Sequence, residues 1–211
     1  MKQVPYHGNP GSACALACYT MVAQYLLPDK NITFEQLAKL ADWKKGYAVW
    51  GFPARKWLMD QGVHMTDYDV IDYAAWAKDG VEGLRKSVSG KEFNYYEKAT
   101  YDLGLESKRV NLMYNHPNFT YIRRKPTWSD VVSEFRKPGA CDLTLDSRVL
   151  NRENGSGLKL HRVVILDITS DEVVFNDPNS AGDGVGRREP LKHFRSAFEK
   201  APELARYYLE N

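Results

Sequence analysis

In the first half of the chain apolar residues recur mostly at three- and four-residue spacing, whereas in the second half they gather in short β-branched blocks. Cys14, Ala17, Cys18, Met21, Val22 and Tyr25 line one face of a helix that Pro28 ends. Leu16, Ala23 and Leu26 fill its other faces, which predicts a helix covered on several sides. Thr33 with Gln36 forms a capping box ahead of Phe34, Leu37, Leu40 and Ala41, the apolar stripe of a second helix. Pro53 opens a third, carrying Trp57 and Leu58, and Gly62 closes it. Residues 63–68 alternate as a short strand.

Between about 70 and 125 the pattern is hardest to read. Helical pieces are expected at 74–77, 81–88 and 93–103, divided by Gly80, Gly90 and Gly104. Beyond this stretch Thr127 with Asp130 starts a helix through Val131, Val132 and Phe135, stopped by Pro138 and Gly139. A strand follows at 141–145, then a polar loop. Residues 161–168, HRVVILDI, read as a strongly β-branched strand, with 172–176 as its hairpin partner across 169–171. Asp177 and Pro178 end that partner, and a flexible loop is expected at 181–186. A helix at 191–198 and a short element at 206–209 close the chain. Helices dominate the N-terminal half and strands the C-terminal half. That segregation predicts an α+β fold, a helical half packed against an antiparallel sheet, rather than alternating βαβ units. The length fits one domain over 1–211, with 65–125 as an insertion.

Composition narrows the function classes. The chain has 43% hydrophobic and 27% charged residues, a globular balance. A formal net charge of +2 carries no footprint for nucleic acid or an anionic membrane. The basic run at Arg123, Arg124 and Lys125 reads as a solvated loop, so no nucleic-acid partner is expected. No apolar run of about 18 residues exists to span a membrane, and no signal-peptide core is visible. Three cysteines exclude a complete intramolecular disulfide framework, and Cys14 and Cys18 lie on one helical face with poor geometry for a bridge. A soluble protein in a reducing, cytoplasmic setting is expected, with neither cofactor nor metal.

The chemistry concentrates at Cys14. It ends a proline- and glycine-broken approach and opens a helix, where unpaired N–H groups and the positive dipole end favour a thiolate. Cys18 and Cys141 read as core. A cysteine nucleophile needs a base and a group to orient that base. His161 stands where the HRVVILDI strand leaves a polar loop, and the hairpin brings the late 170s beside it. That arrangement makes Asp177 the expected orienting carboxylate, with Asn176 on the other face. The Cys14 N–H supplies one oxyanion donor, and Asn9 on the approach loop is the candidate for the second, with His7 next.

These residues resemble a known family, the peptidase domain that processes double-glycine leaders of bacteriocins, a branch of the papain-like cysteine peptidases. Val4, Pro5, Cys14 and Met21 match its opening. His161, residues 163–166, Asp177 and Pro178 match its later half, and the similarity covers roughly 4–27 and 126–198. Two positions depart from it. Gly8 stands where the family has its oxyanion glutamine, and Ala15 replaces the glycine after the nucleophile. The resemblance implies a papain-like fold and a free-standing hydrolase that cuts a peptide or protein amide through Cys14, His161 and Asp177. The same three groups also serve deamidation, transglutamination and isopeptide cleavage. Gly8 leaves open a catalytically inactive, partner-binding module.

Overall fold

A computed structural model describes residues 1–155, 157–179 and 184–210. Helix α1 (Cys14–Leu26) is followed by α2 (Phe34–Leu40), α3 (Phe52–Asp60) and strand β1 (Val63–Asp69). Four short helices come next: α4 (Tyr73–Asp79), α5 (Val81–Ser87), α6 (Gly90–Ala99) and α7 (Leu103–Tyr114). Then follow β2 (Phe119–Arg123), α8 (Trp128–Phe135), β3 (Ala140–Asp146), α9 (Ser147–Leu150), β4 (Leu160–Ile168) and β5 (Glu172–Asn176). The chain ends with β6 (Arg187–Pro190), α10 (Leu191–Lys200) and β7 (Glu203–Leu209).

The fold is α+β, built on one seven-stranded sheet of order β2-β1-β7-β3-β4-β5-β6. All neighbours are antiparallel except β1 and β2, which run parallel. The sheet is therefore mixed and draws β1 from the N-terminal half and β2 from the end of the middle stretch, which corrects the expected antiparallel, C-terminal sheet. The closing element at 206–209 belongs to β7, which pairs with both β1 and β3.

Two cores lie on opposite faces of the sheet. One joins Leu16, Met21, Phe52, Leu58 and Trp76 to Val63, Met65, Val164 and Leu166. The other joins Leu143, Val163, Ile165 and Phe175 to Val131, Phe194 and Phe198. Burial on both faces is why β4 reads as an unbroken apolar run rather than an alternating one. Both foreseen caps form: Thr33 with Gln36, and Thr127 with Asp130.

The middle stretch departs from expectation at its glycines. Gly90 and Gly104 lie inside the first turns of α6 and α7, just after the caps Ser89 and Asp102. First-turn N–H groups have no helical partner, and the cap side chains accept from two of them, so a glycine there does not stop the helix. Gly83 has a different role. A Cβ there would stand 2.1 Å from the Ala75 carbonyl oxygen, so glycine lets α5 press against α4. The stretch is bound to the rest of the protein, since Trp76 and Phe93 share the core of α1 and α3. The loop expected at 181–186 lies partly outside the described residues.

Candidate active site

Cys14 is the first residue of α1, and no acidic side chain sits in that helix's first turn. Ser12, held in the left-handed region at φ 53°, turns the approach loop into the helix. Asn9 ties the loop together: its Oδ1 accepts from the backbone N–H of Gly11 and of Ala13, each at 2.9 Å. Its own N–H donates to the Pro178 carbonyl at 2.7 Å, so the loop before Cys14 is laced to the segment after β5.

That segment carries Asp177, and the hairpin places it. The β4–β5 register ends with Val164 opposite Asn176, so continuing it sets Val163 against Asp177 and His161 against Asn179. Asp177 reaches His161 on the diagonal, and Oδ1 lies 2.7 Å from Nε2. The carboxylate also accepts from the Asn179 N–H at 3.0 Å and, through Oδ2, from Arg187 at 2.7 Å. Arg187 in turn pairs with Glu189, which also binds Arg152. Gly184 makes this crossing possible, because a Cβ there would stand 1.9 Å from the Asp177 carbonyl. Asn176, on the other face, donates its amide to the Val4 carbonyl and fastens the N-terminal segment instead.

The electrostatics follow from these contacts. Burial opposes charge on His161, but hydrogen bonds to Asp177 and Cys14 outweigh it and raise the imidazole to about 9. Burial likewise pushes the Asp177 carboxyl up, yet His161, the Asn179 N–H and Arg187 hold it down at about 2. For Cys14, burial favours the neutral thiol. The His161 hydrogen bond and charge, with the backbone N–H and charge of Arg162, prevail and bring it below the ordinary value. Both shifts favour the thiolate–imidazolium form of the pair over the neutral one. Cys18 and Cys141 have no such partner. Burial drives Cys18 well above the usual thiol range and Cys141 to about 12, which makes both inert.

Asn9 is near this group but differently engaged. Its Nδ2 donates to the Asn179 Oδ1 at 2.6 Å, and the Asn179 amide lies 3.1 Å from His161 Nδ1. In the neutral ring, with the proton on Nε2 toward Asp177, Nδ1 accepts from the Asn179 amide. His7 stacks on Phe34 with ring centroids 5.1 Å apart.

Beside Cys14 and His161 opens a pocket of about 670 Å³, its open mouth included. Trp50, Tyr95 and Tyr96 wall it, and charged side chains from the sheet lie along its floor. Burial, with the charge of Cys14 adding, raises the Tyr95 hydroxyl to about 12. Tyr95 and Tyr96 belong to α6, so the stretch whose pattern was hardest to read supplies this wall. Among the described residues, no three His, Cys, Asp or Glu side chains gather in a way that could hold a metal ion.

No family model and no curated protein matches the chain. Its functional reading therefore stands on this geometry and on the resemblance in its motifs. Sequence reasoning missed Asn179 and Arg187. Neither carries a local signal, since each reaches the site only when β5 and β6 fold against β4. It also missed the charged floor, although Asp67, Asp69, Asp142, Thr144 and Arg162 mark it as polar residues at alternate strand positions.

Proposed function

We propose that the chain is a papain-like cysteine hydrolase, a free-standing relative of the double-glycine leader peptidases, cutting a peptide or protein amide. The observation that carries this reading is His161 held by Asp177 at 2.7 Å from Nε2, with the helix-opening thiol of Cys14 near enough to the ring for the two to shift each other's ionisation. Cys14 Sγ attacks the carbonyl while Nδ1 of His161 takes the thiol proton. The same nitrogen returns that proton to the leaving amine, and water releases the acyl group by the reverse exchange. Asp177 fixes the tautomer and stabilises the imidazolium. The Cys14 N–H, unpaired within its helix, donates to the oxyanion, and the second N–H of the Asn9 amide is the companion donor.

Deamidation, transglutamination and isopeptide cleavage use the same acyl-enzyme and differ in the acceptor. Gly8, and the engagement of Asn9 with Asn179, favour a second reading: a partner-binding module that has lost turnover. Incubation with unfolded protein substrates and a peptide vinyl sulfone separates these. New N-termini and a Cys14 adduct, both absent in Cys14→Ala, are expected of a peptidase. Ammonia release without new N-termini assigns a deamidase. An adduct without turnover supports the binding module, and no adduct at Cys14 overturns the acyl-transfer reading.

A further inference from the structure

Resting on that acyl-transfer reading, we infer that the pocket beside Cys14 selects a cationic substrate side chain, lysine or arginine, with Asp69 as its counter-charge.

The pocket is lined by two carboxylates, Asp69 and Glu203, and two guanidinium groups, Arg55 and Arg162. Those guanidinium groups also hold Asp67 and Asp142, so the cluster sets four carboxylates against two cations. Both cations are already taken. Arg55 donates to Asp67 at 3.3 Å and to the Tyr19 hydroxyl at 2.8 Å. Arg162 donates to Asp142 at 3.0 Å and to Glu203. Asp69 alone of the four has no ion pair among the described residues. It accepts from the N–H groups of Val70 and Ile71 and from the Tyr73 hydroxyl, all neutral donors. A carboxylate that is 5% exposed and lacks a cation is costly. The cost shows in its titration: burial, with the charges of Glu203 and Asp67, raises it well above the carboxylate range, so Asp69 keeps its proton until a cation beside it favours the charged form.

The walls suit the same guest. Trp50, Tyr73 and Tyr96 line the same pocket as Cys14 and Asp69. Such faces pack against the aliphatic stem of lysine or arginine and attract the charge it carries. The alternative guest, an anion, would have to compete for Arg55 and Arg162 with Asp67, Asp142 and Glu203, which already pair with them.

The test is the alkylation rate of Cys14 by iodoacetamides whose arms end in ammonium, methyl or carboxylate, in matched series of increasing length. At the best length, the ammonium arm is expected to react about tenfold or more faster than its methyl counterpart, the gain typical of one charged hydrogen bond. In Asp69→Asn that ratio falls to about one, with melting curves to verify the fold. Native protein provides a second measurement, in which butylguanidine protects Cys14 from iodoacetamide and butanol does not. Equal ammonium and methyl rates at every length, or a faster carboxylate arm, would overturn the inference while leaving the acyl-transfer reading in place. A Cys14 that resists every reagent, iodoacetamide included, removes both.

Discussion

The pocket is bounded by two regions built on different principles. On one side, α1, β4 and the end of β5 bring Cys14, His161 and Asp177 together, and each of the three stands at the end of its element. On the other, the helices between 73 and 114 present Tyr73, Tyr95 and Tyr96, side chains whose place depends on how four short helices pack. In the first region a position is specified within a few residues: a helix start, a strand start, a hairpin two strands long. In the second it is specified by contacts between segments far apart in sequence, such as Trp50 stacked edge-on against Trp76. On the proposed reading, the reactive residues sit on the locally specified side, and the aromatic wall sits on the side set by long-range packing.

The comparison breaks first if the helical stretch is an independent lid. Trp76 is fully buried among Trp50, Phe52 and Tyr73, and its indole N–H donates to Ser107 at 2.7 Å. Trp76→Ala is expected to cost about 3–5 kcal/mol of stability, read by urea denaturation as one shifted transition. Two separate transitions, with Cys14 reactivity surviving the first, would show that the wall and the reactive residues fold apart.

His161→Ala addresses the other side. Without the imidazolium, burial acts on Cys14 against Arg162 alone, and alkylation at pH 7 is expected to fall about a hundredfold as the thiolate fraction collapses. An unchanged rate would mean that the α1 terminus and Arg162 suffice. Asp177→Asn is expected to act more mildly, with a loss of about tenfold, because Nε2 keeps a neutral partner while the imidazolium loses its counter-charge. The smallest effect is Ser89→Ala. Ser89 accepts from the Glu92 N–H and Glu92 reaches back, so removing the hydroxyl costs about 1 kcal/mol in thermal melts and leaves Cys14 reactivity unaltered.

Ser89 also shows what was readable in the sequence. The pair Ser89 and Glu92 forms a capping box, and Asp72 and Asp102 cap α4 and α7. These caps announce the helices of the middle stretch better than their apolar spacing does, because α4, α5 and α6 bury only one or two residues each. Residues 161–168 were legible for the opposite reason, since burial on both faces made 163–166 an unbroken apolar run. The contexts of Cys14, His161 and Asp177 were legible because each needed only local pattern. Arg187 was not, since its approach to Asp177 crosses ten residues of intervening chain and depends on Gly184. The parallel pairing of β1 with β2 was equally hidden. Four helices separate the two strands, and β2 is a half-exposed edge strand with weak alternation.

The most direct measurement is the rate of Cys14 carboxymethylation across pH, followed by peptide mapping. Cys14 is lowered by its contacts and His161 is raised to about 9, so the thiolate–imidazolium pair is favoured between those two values. The rate should hold a plateau through neutral pH and drop only on acidification below the depressed thiol value. In His161→Ala the whole profile should move to alkaline pH. A native Cys14 that titrates at or above the ordinary thiol value of 9.0, with no difference in His161→Ala, would contradict the pairing on which the proposed chemistry rests.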